Sequence, residues 1–232
     1  MYGSDPIRIP QGDSMTEGRL QRFAALGGML FVLLQMAGQG LIQVGGAEPA
    51  FTAPADEILR FFLQRDTTLF AIGGYLSALS FVPYFWFLGA LWAFMRGAEN
   101  RTNWLSITAI ASGLVMPAIS ILGGWELAML RLGENIDPGM VRQLFDAGNY
   151  AFAGVWIPAG SMVLAVSALG LLSGNLPRWF AWFGLATGLA LFAARAVWTM
   201  QVAFIPYTML WLWMIAMSLF MVRRPNISGS RA

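Results

Sequence analysis

The chain has 232 residues, of which 57% are hydrophobic and only 11% charged, with a formal net charge of +2. Soluble domains carry about 25% charged residues, so this composition belongs to a protein whose main solvent is lipid. Histidine, cysteine and lysine are absent, which excludes lysine Schiff-base chemistry, His/Cys metal or haem ligation and Ser–His–Asp or Cys–His catalysis within the chain.

In chain order, residues 1–18 are polar and contain Pro6, Pro10 and Gly12, which predicts a short disordered cytoplasmic tail and not a signal peptide. The first apolar span is expected over Phe23–Val44, closed by Gly45 and Gly46. Pro54, then Asp56 and Glu57, then Ile58, Phe61 and Phe62 at helical spacing predict a short amphipathic surface helix over Pro54–Arg65. A second span follows over Leu69–Met95 and a third over Asn103–Leu130. Asp137 suits an N-cap and Pro138 a first helical position, and with Met140, Val141, Leu144 and Phe145 they predict a second surface helix ending near Gly148. The fourth, fifth and sixth spans are expected over Asn149–Leu172, Trp179–Val202 and Ile205–Val222, with residues 225–232 as a tail. The expectation is therefore one all-α domain over residues 19–224: a polytopic bundle of six transmembrane helices with two short amphipathic surface helices.

The arginines orient it. Arg8, Arg19, Arg22, Arg96, Arg101, Arg178, Arg223, Arg224 and Arg231 fall on one side, and Arg60, Arg65, Arg131 and Arg142 on the other. The positive-inside rule then places both termini in the cytoplasm of a cell whose membrane the chain crosses several times. No basic patch with interleaved aromatics points to nucleic acid.

Pro83, Pro117 and Pro158 fall inside predicted spans, where each removes a backbone hydrogen bond and can kink its helix. Gly73-Gly74, Gly123-Gly124, Gly170-x3-Gly174 and Gly184-x3-Gly188 offer close approach between helices. One echo is visible: Trp104 to Leu114 and Trp179 to Leu189 share the pattern W-x8-G-L. A parallel repeat and a shared way of starting an apolar helix at an interfacial tryptophan both account for it.

Glu126 and Arg195 are the charges placed well inside predicted spans, and such residues are costly in hydrocarbon unless paired or functional. At ~1.5 Å per residue from their starting tryptophans, Arg195 stands about 24 Å and Glu126 about 33 Å along their helices, within reach of one another. Gln35, Gln39 and Gln43 stack on one face at i, i+4 spacing, and Asn149, Tyr150, Trp198 and Gln201 share that level. Two readings stand: an outward-facing polar pocket with Arg195 as the recognising cation, or a structural ion pair with glutamines bonded between helices. The candidate ligand-binding set is Arg195, Glu126, Gln35, Gln39, Gln201, Trp198 and Tyr150, with no catalytic, metal or cofactor site.

The segments ADEILRFF before the second span, RGAENR after it and LPRWFAWFGLATG at the start of the fifth resemble a family of uncharacterised six-span integral membrane proteins common in actinobacteria and related genomes. That resemblance implies fold and topology and carries no catalytic residues with it. The functional expectation is non-enzymatic binding or transport of a small molecule through the polar pocket; the alternative is an accessory or structural subunit of a larger membrane complex. The expected partners are the lipid bilayer and either a small-molecule ligand or another membrane protein.

Overall fold

The computed structural model describes residues 14–99, 103–121, 125–131, 137–200, 202 and 204–223, with the side chains of residues 14–17, 126, 130 and 131 left out. The terminal tails, the Gly123–Gly124 pair and Gln201 therefore lie outside the described residues, as does the side chain of Glu126. All regular structure among the described residues is helical: α1 Ser14–Ala25, α2 Gly27–Ile42, α3 Ala55–Leu63, α4 Thr67–Leu79, α5 Phe81–Arg96, α6 Trp104–Ser120, α7 Trp125–Arg131, α8 Pro138–Gly154, α9 Trp156–Ser173, α10 Arg178–Ala196 and α11 Phe204–Arg223.

Among the described residues, five helical runs are long and apolar enough to cross a membrane: Gly18–Ile42, Thr67–Arg96, Pro138–Ser173, Arg178–Ala196 and Phe204–Arg223. Three of these are helix pairs separated by a single turn residue, at Leu26, Ser80 and Val155. Two breaks have a common cause. Pro83 and Pro158 each stand three residues after the break, so each ring opposes the carbonyl of the last residue of the preceding helix. Pro117, in contrast, is accommodated inside α6.

The third expected span differs from the expectation over Asn103–Leu130. Its first piece, α6, has 17 residues, or about 25 Å of helix against a hydrocarbon core of about 30 Å. Its second piece is the separate seven-residue α7. The glycine pair that follows α6 in sequence has a low helix propensity.

The Asp137 N-cap is present, its carboxylate accepting the Gly139 N–H at 3.0 Å, with Pro138 at the first helical position. The helix it starts does not end near Gly148 but runs to Gly154, one turn residue before α9. Nothing between Asp146 and Tyr150 breaks it. Gly148 has another use: the Trp125 indole occupies the space a side chain there would need. Of the expected stripe, Val141 and Phe145 are buried and Leu144 packs beside them, whereas Met140 is exposed. On α3, Ile58, Phe61 and Phe62 are buried while Asp56 and Arg60 face outward.

Helix α2 packs against α4, α5 and α11; α6 and α10 pack on α9; and α10 packs on α11, closing the bundle. Two contacts are backbone-close because both partners are glycine. A Cβ on Gly38 or Gly73 would lie 2.6 Å from the other's carbonyl oxygen, and Gly160 and Gly188 stand in the same relation at 2.9 and 2.8 Å. The W-x8-G-L echo now has a packing reason. Its small residues meet α9 at one level, Ser112 through a 3.0 Å hydrogen bond to Ser161 and Gly188 through Gly160. At the end of the bundle opposite Ser14 and Arg223, a second core joins α3, α7 and the start of α8 around Ile58, Phe62, Phe70, Val141 and Phe145.

Candidate functional site

The segment joining α2 to α3, residues 43–54, is irregular, and two arginines fix its ends. Its first turn is made by Gly45 (φ +99°) and Gly46 (φ +144°), backbone conformations that side-chain-bearing residues rarely adopt. Arg65, itself buried, donates from Nη1 to the Val44 carbonyl and from Nη2 to the Gly46 carbonyl, both at 2.7 Å, with its guanidinium over the Phe61 ring. From α8, Arg142 donates from Nη1 to the Ala53 carbonyl at 2.7 Å and from Nη2 to the Phe51 carbonyl at 3.2 Å, while Asp146 holds its Nε at 3.1 Å. The segment is thus a strap clamped at both ends by charge-assisted bonds, the stronger kind of hydrogen bond.

Between the clamps the strap brings Glu48 and Phe51 against the bundle. The Phe51 ring meets Trp198 edge-on at 4.5 Å. Trp198 also meets Tyr150 of α8 edge-on at 5.9 Å. Arg195, in the last turn of α10, lays its guanidinium over these two rings, 4.7 Å from the Tyr150 centroid and 5.8 Å from that of Trp198. Among the described residues Arg195 has no ion pair and no side-chain hydrogen bond. A half-exposed cation over an aromatic face gains on the order of 0.5–1 kcal/mol, and Trp198 stands near the ~6 Å limit of such a contact. The N–H edges of its planar fork remain free to donate, the geometry that suits carboxylate and phosphate oxygens.

Glu48 is the one carboxylate on the strap. Burial pushes its carboxyl up from 4.5 to about 7, partly opposed by a hydrogen bond from the Asn149 amide. That amide also donates to the Phe145 carbonyl at 3.0 Å. No described cation lies within ion-pair distance of Glu48.

Of the residues expected at a binding site, Arg195, Tyr150 and Trp198 are brought together, with Asn149 beside them. Gln35 is elsewhere. It is buried at the α4–α5 break, donating to the Ser80 hydroxyl at 3.0 Å and to the Ser77 carbonyl at 3.3 Å. It serves a proline-disrupted backbone there, in the manner of polar groups between membrane helices. Gln39 is half-buried and Gln43 exposed. The Glu126 side chain and Gln201, and with them the expected Glu126–Arg195 pair, lie outside the described residues. Sequence reasoning passed over Glu48, Phe51, Arg65 and Arg142. The available signal was a lone carboxylate between a Gly-Gly turn and Pro49.

A groove of about 440 Å³ lies at the other end of the bundle between α1 and α5, lined by Leu20, Gln21, Ala24, Trp86, Gly89 and Ala93. It presents no charge and has the character of a lipid-facing furrow. Comparisons with protein-family models, with curated proteins and with solved structures return no match for this chain.

Proposed function

We propose that the chain is a six-span protein of a cell membrane, both termini cytoplasmic, that binds or passes a small organic anion at its external end without catalysing a reaction on it. The observation that carries this reading is Arg195: a half-buried cation seated on two aromatic rings with no carboxylate among the described residues to neutralise it. Buried or membrane-edge charges without partners are costly, so a ligand that supplies the missing anion is the physical reason to keep one. The aromatic faces of Tyr150, Trp198 and Phe51 suit the apolar part of such a ligand, and with no histidine or cysteine in the chain the common general bases and nucleophiles are missing.

In this reading α6 and α7 together make the sixth crossing, and α3 with the start of α8 forms a cap on the external face. The test is a thermal-shift screen in detergent with small carboxylates such as acetate and benzoate. The expected result is that at least one raises the midpoint of the wild type and leaves Arg195→Gln unmoved. Equal shifts in both proteins, or none in either, would overturn the reading.

A further inference from the structure

The arginines at the two ends of the bundle are treated differently. At the strap end, Arg195 aside, Arg60 and Arg142 are paired with Asp56 and Asp146, and Arg65 is spent on backbone carbonyls. At the end that carries Ser14 and Arg223, the arginines Arg19, Arg22, Arg96, Arg178 and Arg223 have no ion pair and no side-chain hydrogen bond among the described residues. Glu99, the carboxylate described there, is occupied with the Leu105 and Ser106 amides. Positive charge at that face is left without a described counter-charge.

The furrow between α1 and α5 reaches the same face. At its inner end the helices touch, and a Cβ on Gly27 would strike the Pro83 carbonyl oxygen. Farther along they leave room: a Cβ on Gly89 would meet nothing within 4 Å. Gly89, Ala93 and Arg96 stand at i, i+4 and i+7 on α5 and so share one side of the helix. Gly89 and Ala93 line the furrow, and the exposed Arg96 lies one turn beyond them. On α1, Gln21 lines the opposite wall, its amide unbonded among the described residues. Arg96 is also the last residue of the apolar run Thr67–Arg96, which sets its guanidinium at headgroup level. From Phe85, the lining residue of α5 farthest from Arg96, the helix rises ~16 Å to Arg96, about half of a ~30 Å hydrocarbon core. That is the depth of one leaflet.

We propose that the α1–α5 furrow holds a single anionic phospholipid of that leaflet, with one acyl chain over Gly89 and Ala93 and the phosphate against Arg96. Gln21 is placed to donate to the ester oxygens. The planar fork of an arginine suits phosphate oxygens, and basic pockets between membrane helices take acidic headgroups. A free phosphate would leave the apolar floor unused. A second copy lying parallel in the membrane would bring its own Arg19, Arg22 and Arg96 to the same level, and like charges facing one another oppose association. This site is separate from the one around Arg195 and stands without the anion-binding reading.

The experiment is native mass spectrometry of the full chain in detergent, with dioleoyl phosphatidylglycerol and dioleoyl phosphatidylcholine added at equal concentration. The proteins compared are the wild type, Arg96→Gln, Gly89→Leu and Arg178→Gln. The wild type should retain one phosphatidylglycerol with about fivefold preference, the worth of one arginine beside acidic lipid. Arg96→Gln should still bind but lose the preference. Gly89→Leu should lose the retained adduct of either lipid, with a thermal midpoint no lower than the wild type's, because its side chain enters open space and favours the helix. Arg178→Gln, at the start of a helix that packs on α9 and α11, should behave as the wild type. Equal loss of preference in Arg178→Gln and Arg96→Gln would reduce the effect to diffuse attraction by the charged face and overturn the site. So would a wild type without preference, or an adduct that survives Gly89→Leu. A wild-type dimer abolished by Gly89→Leu would give the furrow to a second copy and overturn the lipid assignment.

Discussion

The two cores of this protein are built by different means. In the main bundle, helices approach through glycine on glycine, as at Gly38–Gly73 and Gly160–Gly188, and polar side chains such as Gln35 serve exposed backbone. In the smaller cap, Arg65 and Arg142 reach across loops to hold carbonyls, and charges are common. The difference follows from the solvent. Where lipid surrounds a helix, hydrophobic burial adds little between helices, so close van der Waals packing must supply the contact. Away from lipid, an arginine can hold backbone carbonyls through charge-assisted hydrogen bonds. The candidate site lies on the seam: Arg195 belongs to a bundle helix, while Phe51, which meets Trp198, belongs to the strap.

The comparison can be broken most severely in the bundle. Gly188→Leu would drive a side chain into Leu164 and the Gly160 carbonyl. With backbone on the other side, no rotamer relieves it. The expected cost is about 3 kcal/mol or more, seen as loss of the monodisperse peak in detergent; a folded variant with an unchanged thermal midpoint would show that α9 and α10 are not in backbone contact. In the cap, Arg142→Ala leaves the Phe51 and Ala53 carbonyls and Asp146 without their donor. A loss of about 2 kcal/mol is expected, together with faster proteolysis of the 43–54 segment. An uncleaved strap would mean that Arg142 does not fasten it.

Glu48→Gln sharpens the comparison through pH. Because the Glu48 carboxyl is raised from 4.5 to about 7, the folded chain keeps a proton that the unfolded chain has already lost. That stabilisation is fully present below about 4.5 and is lost as pH rises through about 7. The variant should match the wild type in acid and exceed it in alkali by about 2 kcal/mol, allowing for partial solvation of the group. Parallel stability curves for the two proteins would show that Glu48 does not titrate in this range.

The smallest effect belongs to the turn after α5. The Glu99 carboxylate accepts the Leu105 and Ser106 amides, at 2.9 and 3.0 Å, in place of a side-chain cap from Asn103. Burial alone would raise the Glu99 pKa, but the bonds from Ser106 and Leu105 outweigh it and leave the group below its ordinary value. Its contribution is thus present above the usual carboxylate pKa and is lost as pH falls through the depressed one. Glu99→Ala should cost about 1 kcal/mol at neutral pH and nothing in strong acid.

How far these features were legible depends on which interaction sets them. Apolar runs, the Asp137 cap and the Ile58–Phe62 stripe on α3 are written in local periodicity, so the helices could be placed from the chain alone. Helix ends set by distant neighbours could not. The turn at Val155 follows from Pro158 and could have been anticipated, but Gly148 suggested an end where the helix in fact continues, its bare backbone serving instead to seat the Trp125 indole. The aromatic seat of Arg195 was half legible. Tyr150 and Trp198 were expected at its level, whereas Phe51 arrives through a strap fixed by Arg65 and Arg142, contacts that span 19 to 91 residues of sequence. No periodicity encodes such contacts.

The most direct test of the central claim is the thermal midpoint of ligand-free Arg195→Gln in detergent at neutral pH. If the arginine is kept for a ligand, its removal forfeits only the contacts with Tyr150 and Trp198, and the variant should stay within about 1 kcal/mol of the wild type or rise above it. A loss of about 3–5 kcal/mol, the cost of breaking a buried ion pair, would make Arg195 a structural residue and contradict the account.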